Sequence, residues 1–71
     1  MSYVLFVRDK NDIYPINWVP VLTDGKDYYL GGGTSAKVAV FKDYNILRRE
    51  KKKMFKNKDF EYYSRQLIEV D

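Results

Sequence analysis

The chain has no cysteine and no histidine. Without cysteine there is no disulfide, and the common zinc sites built from these two residues cannot form. The same two absences remove the Ser–His and Cys–His nucleophile pairs, so catalysis is not expected. No cofactor or metal is implied. Long hydrophobic runs are also missing: nothing approaches the roughly 20 apolar residues that a helix needs to cross a bilayer. The first residues, Met1 to Arg8, are apolar only briefly and carry no leading positive region, so they do not read as a signal peptide. The expectation is a soluble cytoplasmic protein with no membrane association, which a lack of cysteine agrees with.

Aromatic side chains are plentiful. Seven Tyr, four Phe and one Trp make 17% of 71 residues. Each large ring can bury roughly 150–250 Å², which a chain this short needs because its core is thin and it has no covalent staple. With 45% hydrophobic and 32% charged residues, the composition is that of one small folded domain covering residues 1–71.

Strand signals recur about every ten residues. Residues 3–7 favour extended backbone with apolar side chains on both faces. Residues 13–22 are apolar but interrupted by Pro15 and Pro20, which reads as an irregular arm through Asn17 and a strand near Trp18–Leu22. Asp24-Gly25 between apolar segments predicts a hairpin, returning along residues 27–30. The triple glycine Gly31-Gly32-Gly33 predicts a loose strand connection; it fails the P-loop test because no Gly-Lys-Ser/Thr ends it. Residues 36–42 read as a strand with Ala36, Val38 and Val40 on one face. Residues 60–63 and 67–70 read as two final strands. This rhythm predicts an all-β sandwich or barrel, most compactly a partly open barrel of five to seven short strands, with the first strand paired to one of the last.

Residues 46–58 fit a helix or a basic hairpin equally. Their side chains favour helix, but Glu50 and Lys51 interrupt the apolar stripe one turn after Ile46 and Leu47.

Two groups of residues are candidates for binding. The first is aromatic. Trp18 lies between two prolines and is either core or part of an aromatic groove for a peptide. Tyr28-Tyr29 and Tyr62-Tyr63 are neighbours, so on a strand one of each pair points outward, and exposed Tyr is enriched at interfaces. Trp18, Tyr28 and Tyr63 are therefore the candidate protein-binding residues. The second is basic: Arg48, Arg49, Lys51, Lys52, Lys53, Lys56 and Lys58, with Glu50 the single anion among them, give residues 48–58 a net +6 (7 − 1) against +3 for the whole chain. Such a stretch can neutralise phosphates, and Phe55, Phe60, Tyr62 and Tyr63 lie close enough in sequence to stack bases. It can equally be a solvated face. The carboxylate pairs Asp9/Asp12 and Asp24/Asp27 fall in turns, where Asp bonds local amides, and read as turn formers rather than acid–base groups.

Three segments, Ser2-Tyr3-Val4-Leu5-Phe6-Val7, Ile16-Asn17-Trp18-Val19-Pro20-Val21 and Asp27-Tyr28-Tyr29-Leu30-Gly31-Gly32-Gly33-Thr34-Ser35, give a chain that as a whole resembles the YorP-type small proteins of SPβ-like Bacillus prophages. The resemblance implies an SH3-like barrel and an accessory role such as binding a host or phage protein or a nucleic acid. It carries over no activity and no site residues. The expectation is thus a small SH3-like barrel acting as a non-catalytic protein-interaction module. The alternative is weak, largely sequence-independent nucleic-acid binding through residues 48–58. The oligomeric state is left open.

Overall fold

The computed structural model describes residues 2–11, 18–31, 36–56 and 58–68. They form two three-stranded antiparallel sheets and one short helix. β1 (Ser2–Asp9) runs at the centre of the first sheet, between β2 (Val19–Pro20) and the last strand, β6 (Phe60–Leu67). The second sheet has β3 (Leu22–Thr23) between β4 (Tyr28–Tyr29) and β5 (Lys37–Val38). The helix α1 (Tyr44–Lys51) precedes β6.

The expected pairing of the two ends of the chain is present and dominates the fold. β1 and β6 pair along their whole length, from Ser2 opposite Leu67 to Asp9 opposite Phe60. Residues 60–67 are one strand, so the two separate strands expected over 60–63 and 67–70 are corrected as far as Leu67; Val70 lies outside the described residues. No break is needed because Ser64 and Arg65 continue the alternation. The proline in β2 is tolerated because that strand sits at a sheet edge, where a missing N–H leaves no ladder bond unmade.

The Asp-Gly hairpin also forms, with Leu22 opposite Tyr29 and Thr23 opposite Tyr28. Asp24 Oδ1 accepts from the Lys26 and Asp27 amides, and Gly25 takes φ 97°, which any side chain would strain. These local bonds hold the Asp24 carboxyl below its usual range, the Asp27 amide first. Asp9 likewise accepts from the Asn11 amide. Asp12, the arm over residues 13–17 and most of the glycine connection, residues 32–35, lie outside the described residues.

The two sheets are stitched together by single contacts. The Val21 amide donates to Leu5 and the Ala39 amide to Val21, while Tyr3 and Phe41 exchange both backbone bonds at 2.8 Å. The core lies between them: Leu5, Val7, Val21, Ala39, Phe41, Leu47 and Met54 form one buried cluster. The strand expected over 36–42 is confined to Lys37–Val38, and beyond it Ala39 and Phe41 face the core. Phe41 is 5% exposed and Val40 54%. Val40 and Phe41 are neighbours on opposite sides of the chain, and the larger ring takes the core. Among the described residues the strands do not close into one ring.

Of residues 46–58, those up to Lys51 belong to the helix; beyond it the described residues form turns and no hairpin strand. Asp43 caps it by accepting from the Ile46 amide at 2.9 Å. Leu47 on the helix and Met54, three residues beyond its end, both face the core, and Glu50 lies between them in sequence. Arg48, Arg49 and Lys51 occupy the last turn, where the helix dipole favours cations. The chain leaves through Phe55, a non-glycine residue at φ 44°, whose ring meets Phe60 edge-on at 5.6 Å. No helix among the described residues is long and apolar enough to cross a membrane.

Candidate functional site

Alternation along β1 sends Tyr3, Leu5 and Val7 to the core and Phe6 and Arg8 to the opposite face of the first sheet. Register then decides what joins them there. Phe6 lies opposite Tyr63 and Arg8 opposite Glu61. The Phe6 and Tyr63 rings stack with centroids 5.1 Å apart, and Trp18 meets Tyr63 edge to face at 4.8 Å. Arg8 closes the group: its Nε donates to Glu61 Oε2 at 3.2 Å, and its guanidinium stands 5.9 Å from the Trp18 ring. Tyr63 remains 42% exposed at the centre. Two of the three expected protein-binding residues, Trp18 and Tyr63, are therefore in direct contact. Each ring limits the other's rotamers, so the surface is pre-set rather than assembled on contact.

Tyr28 is elsewhere. It belongs to the second sheet, its ring packs near Phe41 (centroids 6.2 Å apart), and its hydroxyl donates to Glu50 Oε1 at 3.1 Å. Burial, then that bond, push the Tyr28 phenol above its usual value. The paired tyrosines split as expected in β6, with Tyr62 packed on the core and Tyr63 outward.

Glu50 is the residue that sequence reasoning missed, because it reads as the lone anion of a basic run. It lines a cleft of about 540 Å³ with Tyr28, Tyr29, Lys26, Lys53 and Phe55. Its Oε2 has no solvent contact and no aligned hydrogen bond; its partner is the Lys53 ammonium at 3.2 Å. That ammonium, and next the Tyr28 hydroxyl, hold the Glu50 carboxyl below its usual range. The signal that would have found it is the helix itself: with Asp43 as cap, Glu50 falls on the inner face between Leu47 and Met54.

The basic residues divide. Lys53 is held by Glu50, and the Lys51 ammonium stands 5.7 Å from the Tyr62 ring. Arg48, Arg49, Lys52, Lys56 and Lys58 are exposed, and none of them forms an ion pair among the described residues. Arg48, Arg49 and Lys52 lie on the helix side away from Leu47. Phe55 and Phe60 are packed against the core rather than laid out for stacking bases. Among the described residues no group of three or more carboxylates could hold a metal ion.

Comparison with protein-family models, curated proteins and solved structures finds no match for this chain.

Proposed function

We propose that this protein is a non-catalytic, cytoplasmic protein-interaction module whose contact surface centres on Trp18 and Tyr63. The observation that carries it is a 42% exposed tyrosine held in a T-shaped contact with Trp18 and stacked on Phe6, on the sheet side opposite the core. Large rigid aromatics with a polar tip give contact area at low entropic cost, which is why they anchor interfaces. Arg8 and Glu61 supply a polar rim. We read the two stitched sheets as a partly open, SH3-like barrel, supported by the Val21 and Phe41 links between them. The partner in this reading is a host or phage protein.

The test is recovery from a cell extract on immobilised parent and Tyr63→Ser protein, with Trp18 emission followed in parallel. Retention of a specific protein by the parent, lost in the variant and accompanied by a shift in emission, is the expected result. Unchanged emission with nothing retained sinks the reading.

A second reading has its own support. Five exposed cations between Arg48 and Lys58 lack an ion-pair partner among the described residues, which suits weak nucleic-acid binding through phosphates. Anisotropy with labelled single-stranded DNA, duplex DNA and RNA would then show affinity that falls steeply with salt. Reversal of Arg48, Arg49 and Lys52 to Glu abolishes it. No binding at low salt reduces the segment to a solvated face.

A further inference from the structure

β6 is a long edge strand whose only charged side chains are Glu61 and Arg65. It runs for eight residues, Phe60–Leu67, and pairs only with β1 among the described residues. Proteins commonly blunt such an edge with lysine, proline, a bulge or a short length. Phe60–Leu67 contains no Lys and no Pro, and Tyr63, Leu67 and the following Ile68 are exposed apolar groups.

Hydrogen-bond parity shows which backbone groups face outward. On β1, Tyr3 and Leu5 spend their bonds on Phe41 and Val21, away from β6. The alternate residues Val4, Phe6 and Arg8 therefore bond toward β6, to their partners Arg65, Tyr63 and Glu61. Tyr62 and Ser64 direct their N–H and C=O groups to the open edge.

The side chains on this strand are symmetric in a way that matters. Glu61 and Arg65 stand two residues either side of Tyr63, on the same sheet face. In an antiparallel pair of two identical strands centred on Tyr63, Glu61 of each copy lies opposite Arg65 of the other. Tyr63 meets its own counterpart. These are non-hydrogen-bonded positions, where side chains approach most closely. The same register sets Tyr62 opposite Ser64, so the outward backbone groups of one copy find those of the other.

We infer that a second copy of this chain binds at the open edge of β6, making an isologous two-fold dimer with one continuous antiparallel sheet. Two copies of one self-complementary strand meet the closure condition for such an interface. The dimer joins the two Phe6–Tyr63–Trp18 groups into one aromatic surface across the axis. This inference stands apart from the protein-partner reading and is tested without any partner.

The experiment is sedimentation velocity on the full chain from micromolar to millimolar concentration, for the parent, Arg65→Glu and Glu61→Lys. The parent is expected to pass from monomer to dimer. Arg65→Glu sets like charges opposite each other at both symmetric positions and weakens the dimer at least about tenfold. Mixing Arg65→Glu with Glu61→Lys restores opposite charges at both positions, so the mixture dimerises where each variant alone does not. Amide exchange provides a readout that needs no variant: at Tyr62 and Ser64 it slows as parent concentration rises. A parent that stays monomeric throughout, or a dimer that Arg65→Glu leaves intact, overturns the inference.

Discussion

The aromatic face and the basic helix are built in opposite ways. Phe6, Trp18 and Tyr63 are positioned by a sheet with eight-residue strands and hold one another through ring contacts. Arg48, Arg49 and Lys52 form no ion pair among the described residues; the helix that carries them is positioned by Leu47 beneath and capped by Asp43. On the sheet, the exposed residues are themselves part of the packing. On the helix, packing and charge are divided between two sides. A surface of the first kind has shape and can discriminate by fit. One of the second kind has mainly field, which is screened within about 8 Å at physiological salt.

That difference predicts where each surface breaks. The largest effect belongs to Leu47→Ala. Its side chain is fully buried between the helix and β1, and truncation leaves a cavity costing about 2–5 kcal/mol. Urea unfolding should show this loss, a large share of what a small domain has in total. If the helix were a loosely attached appendage, global stability would hold while only the helical circular-dichroism signal fell, and the contrast drawn above would fail.

Asp43→Ala comes next. Removing the side chain that accepts from the Ile46 amide should cost about 1 kcal/mol, with Asp43→Asn close to the parent because the amide oxygen still caps. Equal loss in both variants would assign the effect to charge rather than to the hydrogen bond.

These residues also show what sequence patterning could and could not reveal. The Asp24-Gly25 turn is legible because its chemistry is local. The pairing of β1 with β6 is legible because two hydrophobic ends need cover. The contact of Trp18 with Tyr63 is not, since it depends on Phe6 standing opposite Tyr63 across most of the chain, and a shift of one residue would turn Tyr63 to the other face. The sequence leaves helix and hairpin level over 46–58 because the inner stripe contains Glu50, a residue made acceptable there by Tyr28 and Lys53. Over residues 36–42, of which only Lys37–Val38 are strand, Ala39 and Phe41 compete with Val38 and Val40 for the core, and apolar alternation alone cannot rank them.

The smallest predicted effect lies at that Glu50–Tyr28 contact, where a helix side chain behaves like the sheet face and secures a neighbour. Glu50 has its carboxyl lowered from 4.5 by the Lys53 ammonium first and by the Tyr28 hydroxyl next. A depressed folded value means that its stabilisation is present above about pH 4.5 and is lost as pH falls through the folded value. Tyr28 is shifted the other way, upward from 10.0, by burial first and by Glu50 second. Its stabilisation is therefore present below pH 10 and is lost as pH rises through the folded value. The contact works within a window bounded on both sides, and Tyr28→Phe should weaken both flanks at once. Thermal melts across pH would then show a stability maximum lower and flatter than the parent's. Glu50→Gln should flatten the acid flank more than the alkaline one. A Tyr28→Phe profile parallel to the parent's at every pH would mean that the hydroxyl–carboxylate bond contributes nothing in solution, leaving the helix joined to the second sheet by apolar packing alone.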